Sequence, residues 1–405
     1  MFIAKLLSLP QAVKQYLIVT ANYWAFTLTD GALRMLVVLY FYQLGYSPLA
    51  IAMLFLFYEF FGVITNLFGG WIGARFGLNK TMNIGLVMQV FALLMLTVPN
   101  EYLTVIWVMA AQALSGIAKD LNKMSAKSSI KSLVASDQQG QLFHWVALLT
   151  GSKNALKGVG FFLGALLLTL FEFQQAILLM AVMLAIIALL SVCYLKADLG
   201  KAKNKPKFSQ IFSKNSALNY LSAARLCLFA ARDVWFVVAL PVYLASELDW
   251  EHWSVGAFIA SWIIAYGAVQ AFAPKITGKA VGKLPTSSML STWGIILTGV
   301  TLALVAVFYY IEQPENLLII GLLLFGFVFA VNSSLHSYVI VAIAKEDGAS
   351  MDIGFYYMAN AMGRLLGTLL SGWLFQLYGF IICLIISAVL LAVSAILVRK
   401  VHIPV

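Results

Sequence analysis

Residues 150–160 read Thr-Gly-Ser-Lys-Asn-Ala-Leu-Lys-Gly-Val-Gly, which puts Lys153 and Lys157 one helical turn apart on one face of an otherwise apolar run. A lysine near the centre of a bilayer costs ~3 kcal/mol on insertion scales. That face must therefore meet water, an anion, or a carboxylate such as Asp30, Glu59 or Asp120. Five further bases lie inside or at the ends of apolar runs, Arg34, Lys119, Arg225, Arg232 and Arg364, against four acids well inside them, Asp30, Glu59, Asp120 and Asp233. Seven bases over four acids is a nominal excess of three positive charges in low-dielectric surroundings. A polyanionic ligand would offset it. Arginine suits bidentate binding of an oxyanion, and lysine serves as a mobile point charge.

The remaining polar residues leave alternatives open. Asp30 and Arg34 are spaced i,i+4 and can pair with each other. Arg232 and Asp233 point about 100° apart on a helix, which predicts separate partners for them. Glu59, in Phe-Tyr-Glu-Phe-Phe, has no base at helical spacing. It either carries a proton, as Asp30 and Asp233 could, or bonds to Arg34, a lysine or a group on the fourth span. Lys119, Lys123, Lys127 and Lys131 recur every four residues. They form either an interfacial amphipathic stripe or a cytoplasmic entry ramp for anions. His336, in Asn332-Ser-Ser-Leu-His-Ser337, either relays protons or donates to a substrate oxygen, or is hydrogen-bonded to a neighbouring helix. Asn360 and Arg364 share a face at i,i+4. Cys193, Cys227 and Cys383 fall singly in three apolar runs and suggest neither a disulfide framework nor a metal site. No clustered nucleophile and no large soluble domain is visible, so neither catalytic residues nor a cofactor are expected.

These residues need membrane-spanning elements to hold them. The chain has 405 residues, 62% hydrophobic and 10% charged, well outside the soluble globular range. Apolar runs of spanning length occupy approximately 15–44, 47–70, 81–98, 102–123, 141–170, 174–195, 217–245, 253–273, 287–310, 316–344, 350–377 and 379–398. Lys5 is followed by only a short apolar run before Pro10, and no cleaved signal peptide is expected. The net charge of +10 is not read as a nucleic-acid footprint, because its distribution follows topology. Lysines and arginines outside the spans fall in the N-terminal segment, the even-numbered loops and the C-terminal tail, while the odd-numbered loops carry acids (Glu101, Glu172, Glu247, Asp249, Glu251, Glu312, Glu315). That pattern predicts cytoplasmic termini.

The basic stretch from Lys196 to Lys214 divides the chain into an N-terminal six-helix bundle (1–197), a cytoplasmic linker (198–215) and a C-terminal six-helix bundle (216–405). The halves look like distant copies. Asp30 and Asp233 are offset by 203, Gly73-x-x-x-Gly77 and Gly278-x-x-x-Gly282 by 205, and Lys157/Gly160 and Arg364/Gly367 by 207.

Gly70-Trp-Ile-Gly-Ala-Arg-Phe-Gly-Leu-Asn-Lys80 resembles the G-x-x-x-D-R-x-G-x-[RK]-[RK] signature of the major facilitator superfamily, with Ala74 at the acidic position. The resemblance implies an all-α membrane protein of twelve transmembrane helices in two pseudo-symmetric halves. Spans 3, 6, 9 and 12 contain no Asp, Glu, Lys or Arg, which suits the lipid-facing scaffold helices of that fold. Five stretches resemble more narrowly the ArsJ family of organoarsenical efflux permeases: Thr20–Arg34, Ser115–Lys131, Gly151–Gly158, Ala231–Trp235 and Gly354–Arg364. That resemblance implies export of 1-arseno-3-phosphoglycerate across a bacterial inner membrane, arsenate resistance, and a functional link to a glyceraldehyde-3-phosphate dehydrogenase. Arg34, Lys153, Lys157, Arg232 and Arg364 are expected to hold the anionic ends, with Asn22, Tyr23, His336 and Asn360 on the glycerate. The absence of a cysteine cluster disfavours trivalent arsenic as ligand. The alternative is an importer or exchanger of other phosphate esters or organic anions. The partners expected are the anionic substrate and the lipid bilayer, with the protein a monomer.

Overall fold

The computed structural model describes residues 11–46, 53–133, 139–195, 215–278, 285–311, 315–345, 347 and 349–402. The first six spans are α1 (Gln11–Gln43), α2 (Leu56–Phe76), α3 (Leu78–Met95), α4 (Val105–Leu133), α5 (Gln139–Leu170) and α6 (Phe173–Tyr194). Then follow α7 (Ser216–Phe236, continued by Ala239–Ser246), α8 (His252–Ile276), α9 (Ser287–Tyr310) and α10 (Glu315–Ile343). The run Ala349–Val398 has 50 residues, about 75 Å of helix against a hydrocarbon core of about 30 Å. Gly379, at φ 76°, interrupts it and separates α11 (349–378) from α12 (380–398). Twelve helical spans result, with no strand among the described residues. Nine helices among these residues are long and apolar enough to cross a membrane by themselves. The broken 50-residue run counts once in that set, and α2 and α4 fall outside it. Glu59 and Asn66 lower the hydropathy of α2, and Lys119, Asp120, Lys123 and Lys127 lower that of α4.

By compactness the chain forms two units. Unit 1 comprises 1–142, 156–212 and 344–355, and unit 2 comprises 143–155, 213–343 and 356–405. The division at 212/213 falls in the basic stretch, whose residues 196–214 lie outside the described ones. Each unit also takes in a segment from the other half of the sequence. The first part of α5 goes with unit 2 because Asn154 Nδ2 donates to Gln270 Oε1 at 2.5 Å and Gly151 backs directly onto Gly267. The opening turns of α11 go with unit 1, where Ser350 Oγ donates to the Gly70 carbonyl at 2.7 Å.

Within unit 1, α4 packs on α2 and α3, and α6 packs on α3 and α1. The second part of α5 crosses α1 at a close approach that only glycine allows. A Cβ at Gly160 would lie 2.6 Å from the Leu28 carbonyl oxygen, and one at Gly31 would lie 2.7 Å from that of Lys157. Unit 2 repeats the crossing between α7 and α11, where a Cβ at Gly367 would lie 2.8 Å from both the Ala230 carbonyl oxygen and Asp233 Cβ. The offset of 207 between Gly160 and Gly367 is thus matched by the packing. The loop match is realigned. Gly77 and Gly278 both take positive φ (101° and 92°) just beyond α2 and α8, so Gly278 is the counterpart of Gly77 rather than of Gly73; Gly282 lies outside the described residues.

The core of unit 2 is built on Trp235, Trp262, Tyr266, Phe325 and Phe329. Trp262 Nε1 donates to the Leu322 carbonyl at 2.9 Å, which satisfies its polar atom inside that core. Where α7 breaks after Phe236, the Ala239 amide donates to Ser371 Oγ at 3.0 Å. A side chain thereby replaces the helical acceptor, as a helix interrupted at membrane depth requires.

Candidate anion-binding site

In unit 1 three buried or half-buried carboxylates lie beside bases. Asp30 is 5% exposed. It accepts from the Tyr58 hydroxyl at 2.5 Å and lies 3.5 Å from Lys157 Nζ. Arg34 turns away from Asp30 to Glu59, at 3.4 Å, and its guanidinium lies over the rings of Phe55 and Tyr58 at 4.9 and 5.1 Å. The i,i+4 pairing of Asp30 with Arg34 therefore does not form. The α1–α5 crossing delivers Lys157 to Asp30, and α2 delivers Glu59 to Arg34. Asp120 pairs with Lys123 at 2.5 Å and lies 3.8 Å from Lys119, whose ammonium is 3.7 Å from the centre of the Tyr58 ring. The spacing of four carries the α4 stripe inward rather than into solvent, since Lys127 is buried.

Unit 2 distributes its charge differently. Asp233 is fully buried. Its Oδ1 accepts from Arg232 Nε at 2.6 Å and lies 2.5 Å from Arg232 Nη2, and its Oδ2 lies 3.4 Å from Arg364 Nε. Neighbouring residues on α7 thus pair with each other, which corrects the expectation of separate partners. The 100° between adjacent positions fixes the Cβ directions, but the arginine stem is long enough to fold the guanidinium back. Asp30–Lys157 and Asp233–Arg364 are the same interaction in the two repeats, each pairing a carboxylate on the first helix of its half with a base on the fifth.

Arg225 is the residue that sequence reasoning left out of the site. It is 3% exposed. It donates from Nε to Asn360 Oδ1 at 2.8 Å, from Nη1 to the Ser333 carbonyl at 3.0 Å and the Ser333 hydroxyl at 3.4 Å, and from Nη2 to Ser337 Oγ at 3.4 Å. These hydrogen bonds run on through unit 2. Tyr266 donates to Ser333 Oγ at 3.0 Å, and Gln270 Nε2 donates to Tyr266 Oη at 2.8 Å and to Ser333 Oγ at 3.1 Å. Gln270 Oε1 accepts from Asn154. One polar chain therefore links α5, α8, α10, α7 and α11. Its signal in the sequence is the spacing of seven between Arg225 and Arg232, two turns on one helical face. In unit 2, Arg232 and Arg364 lie against the one aspartate Asp233, while Arg225 is held by neutral oxygens.

The other expected residues divide. Asn360 is in the cluster through Arg225. His336 is 1% exposed on α10, and its Nδ1 has no hydrogen-bond partner among the described residues. Lys153 contacts Asn154 Oδ1 at 3.2 Å in the unit 2 part of α5, whereas Lys157 lies in the unit 1 part. Asn22 belongs to the scaffold: its Nδ2 donates to Ser191 Oγ of α6 at 2.8 Å and contacts Met82 Sδ of α3 at 3.8 Å. That face of α1 is the one covered by α3 and α6. Tyr23, one residue on, is buried at 2% exposure. No group of three or more metal-ligating side chains occurs among the described residues.

Twelve helical spans with acids and bases paired within apolar runs define a polytopic membrane protein. The chain matches the Major Facilitator Superfamily model over residues 17–292 and 278–404 and belongs to that superfamily. It is thus a secondary transporter rather than an enzyme. No curated protein matches it. Among solved structures it is similar to the human organic anion transporter MFSD10 (TETRAN), at 16% identity and a TM-score of 0.73 over 96% of this chain and 100% of that one. It is also similar to a bacterial homologue of the iron transporter ferroportin (14%, TM-score 0.74, 97% and 99%). A third likeness is to the E. coli fucose:proton symporter FucP (11%, TM-score 0.72, 98% and 100%). At these identities the likeness is one of fold.

Proposed function

We propose that the protein exports a multiply charged organic anion, the ester 1-arseno-3-phosphoglycerate, from the bacterial cytoplasm by alternating access, and so confers arsenate resistance. The observation that carries the reading is the charge of the unit 2 cluster, in which Arg232 and Arg364 share one carboxylate, Asp233, and the partners of Arg225 among the described residues are neutral. Excess buried cation of this kind is stabilised by an anionic ligand. The resemblance to organoarsenical permeases supports the particular substrate, since the stretches that carry it contain Asp30, Arg34, Lys119, Lys153, Lys157, Arg232, Asp233, Asn360 and Arg364. The basic loops support an inner-membrane orientation with both termini in the cytoplasm. An inside-negative potential favours anion exit by ~2.3 kcal/mol per charge per 100 mV. Export down that gradient needs no proton. Glu59, Asp30 and Asp233 remain the carboxylates through which coupling would act.

The first test is complementation of an arsenate-sensitive strain that also expresses a glyceraldehyde-3-phosphate dehydrogenase. Lys153→Gln and Arg232→Gln are expected to abolish resistance while membrane levels stay normal. Full resistance in either variant removes that residue from the site. Importers and exchangers of other phosphate esters are the competing reading, and the direction of transport decides between them.

A further inference from the structure

Lys157, Arg34, Arg232 and Arg364 each lie against a carboxylate. Arg225 does not: among the described residues its hydrogen-bond partners are a carboxamide, two hydroxyls and a backbone carbonyl, all neutral. Neutral oxygens compensate a buried guanidinium less completely than a counter-charge does. The rings of Phe229 and Tyr356 lie against that guanidinium, their centres 4.1 and 5.4 Å from Cζ. With its in-plane N–H edge arginine takes carboxylate or phosphate bidentately.

Tyr356 supplies an independent observation. It is fully buried, and its hydroxyl finds no hydrogen-bond partner among the described residues. Buried hydroxyls are ordinarily paired. An unmade bond beside a cation without a counter-charge is the complement of an oxyanion, which accepts from both.

We propose that Arg225 and Tyr356 form an oxyanion subsite in unit 2, which takes one carboxylate- or phosphate-type end of the transported anion. Asn360, Ser333 and Ser337 hold the guanidinium in place until that end replaces some of them. The proposal rests on the reading of the protein as an organic-anion carrier and adds the residues that bind one end. Because no carboxylate among the described residues lies against Arg225, an incoming oxyanion meets no competitor from them there, unlike at Lys157 or Arg364.

The test is equilibrium binding to the purified full-length protein, with inorganic phosphate, glycerate and 3-phosphoglycerate as separate probes. Arg225→Lys keeps the charge and loses the fork, and is expected to weaken 3-phosphoglycerate binding by at least ~10-fold. Tyr356→Phe is the sharper variant, since it deletes only a hydroxyl that has no partner among the described residues. A purely structural tyrosine leaves affinity unchanged. A ligand donor weakens binding ~10-fold with the melting temperature unaltered. If phosphate binding is the more sensitive, the subsite takes the phosphate end, and if glycerate, the carboxylate; either result supports it. Wild-type affinity in a folded Tyr356→Phe protein overturns the subsite, whether or not Arg225→Lys folds. Failure of the wild type to bind any of the three probes removes the anion-carrier reading and the subsite with it.

Discussion

Asp233 accepts from one arginine and lies against a second while wholly excluded from solvent. Removing one partner of a buried ion pair strands the other's charge, at a cost of ~3–5 kcal/mol. Asp233→Asn is accordingly expected to lower the melting temperature of the ligand-free protein sharply. It should also enlarge the stabilisation that 3-phosphoglycerate produces, because the arginines then have no internal competitor. Thermal melts with and without the anion check both effects, and a variant that melts like wild type contradicts this role. The residues of this cluster were legible as types and positions, since a charge at membrane depth stands out in any apolar run. Their pairing was not. Helical angle places Arg232 and Asp233 on different faces, yet the arginine stem reaches back, and the Asp30–Lys157 contact depends on a helix crossing that no local spacing encodes. Arg225 was visible as a base but carried no acid at helical spacing to mark its role, and its partners come from Ser333 and Asn360, more than a hundred residues away.

At the scale of elements, the α1–α5 and α7–α11 crossings are the repeated feature that sets each carboxylate beside its base. Gly160→Val puts a Cβ 2.6 Å from a backbone oxygen that has no rotamer by which to yield. Overpacking of that kind costs ~1–3 kcal/mol or more. Reduced thermal stability and displacement of Lys157 from Asp30 are expected, and normal stability with normal transport contradicts the crossing's importance. The first part of α5 is held to unit 2 through Gln270, which bonds Asn154 on one side and Tyr266 and Ser333 on the other. Gln270→Leu leaves these groups short of a partner, at ~1–3 kcal/mol. Hydrogen exchange in residues 143–155 should then accelerate relative to wild type, whereas unchanged protection would mean that Gln270 does not anchor α5. That α5 and α11 are each shared between units was not legible in the sequence. The linker at 198–215 is marked by composition, but the exchange of helix segments depends on contacts such as Ser350 with Gly70, 280 residues apart.

The twelve spans could be read directly because a bilayer demands about twenty apolar residues per crossing, and among the described residues each expected run is helical, that at 217–245 in two pieces. The broken run at Gly379 and the discontinuity after Phe236 in α7 needed the backbone to reveal them. The whole molecule is a major facilitator superfamily carrier, and the central claim about it is outward movement of a polyanion. Everted membrane vesicles measure this most directly. The ester is generated outside them by glyceraldehyde-3-phosphate dehydrogenase from glyceraldehyde 3-phosphate, NAD and arsenate, and arsenic trapped in the lumen is counted with a lumen-positive potential imposed or collapsed. Accumulation in wild-type vesicles is expected to rise with the potential, to be absent with arsenate alone, and to be lost in Arg232→Gln. Equal lumenal arsenic in wild-type, Arg232→Gln and carrier-free vesicles would contradict outward movement of the polyanion.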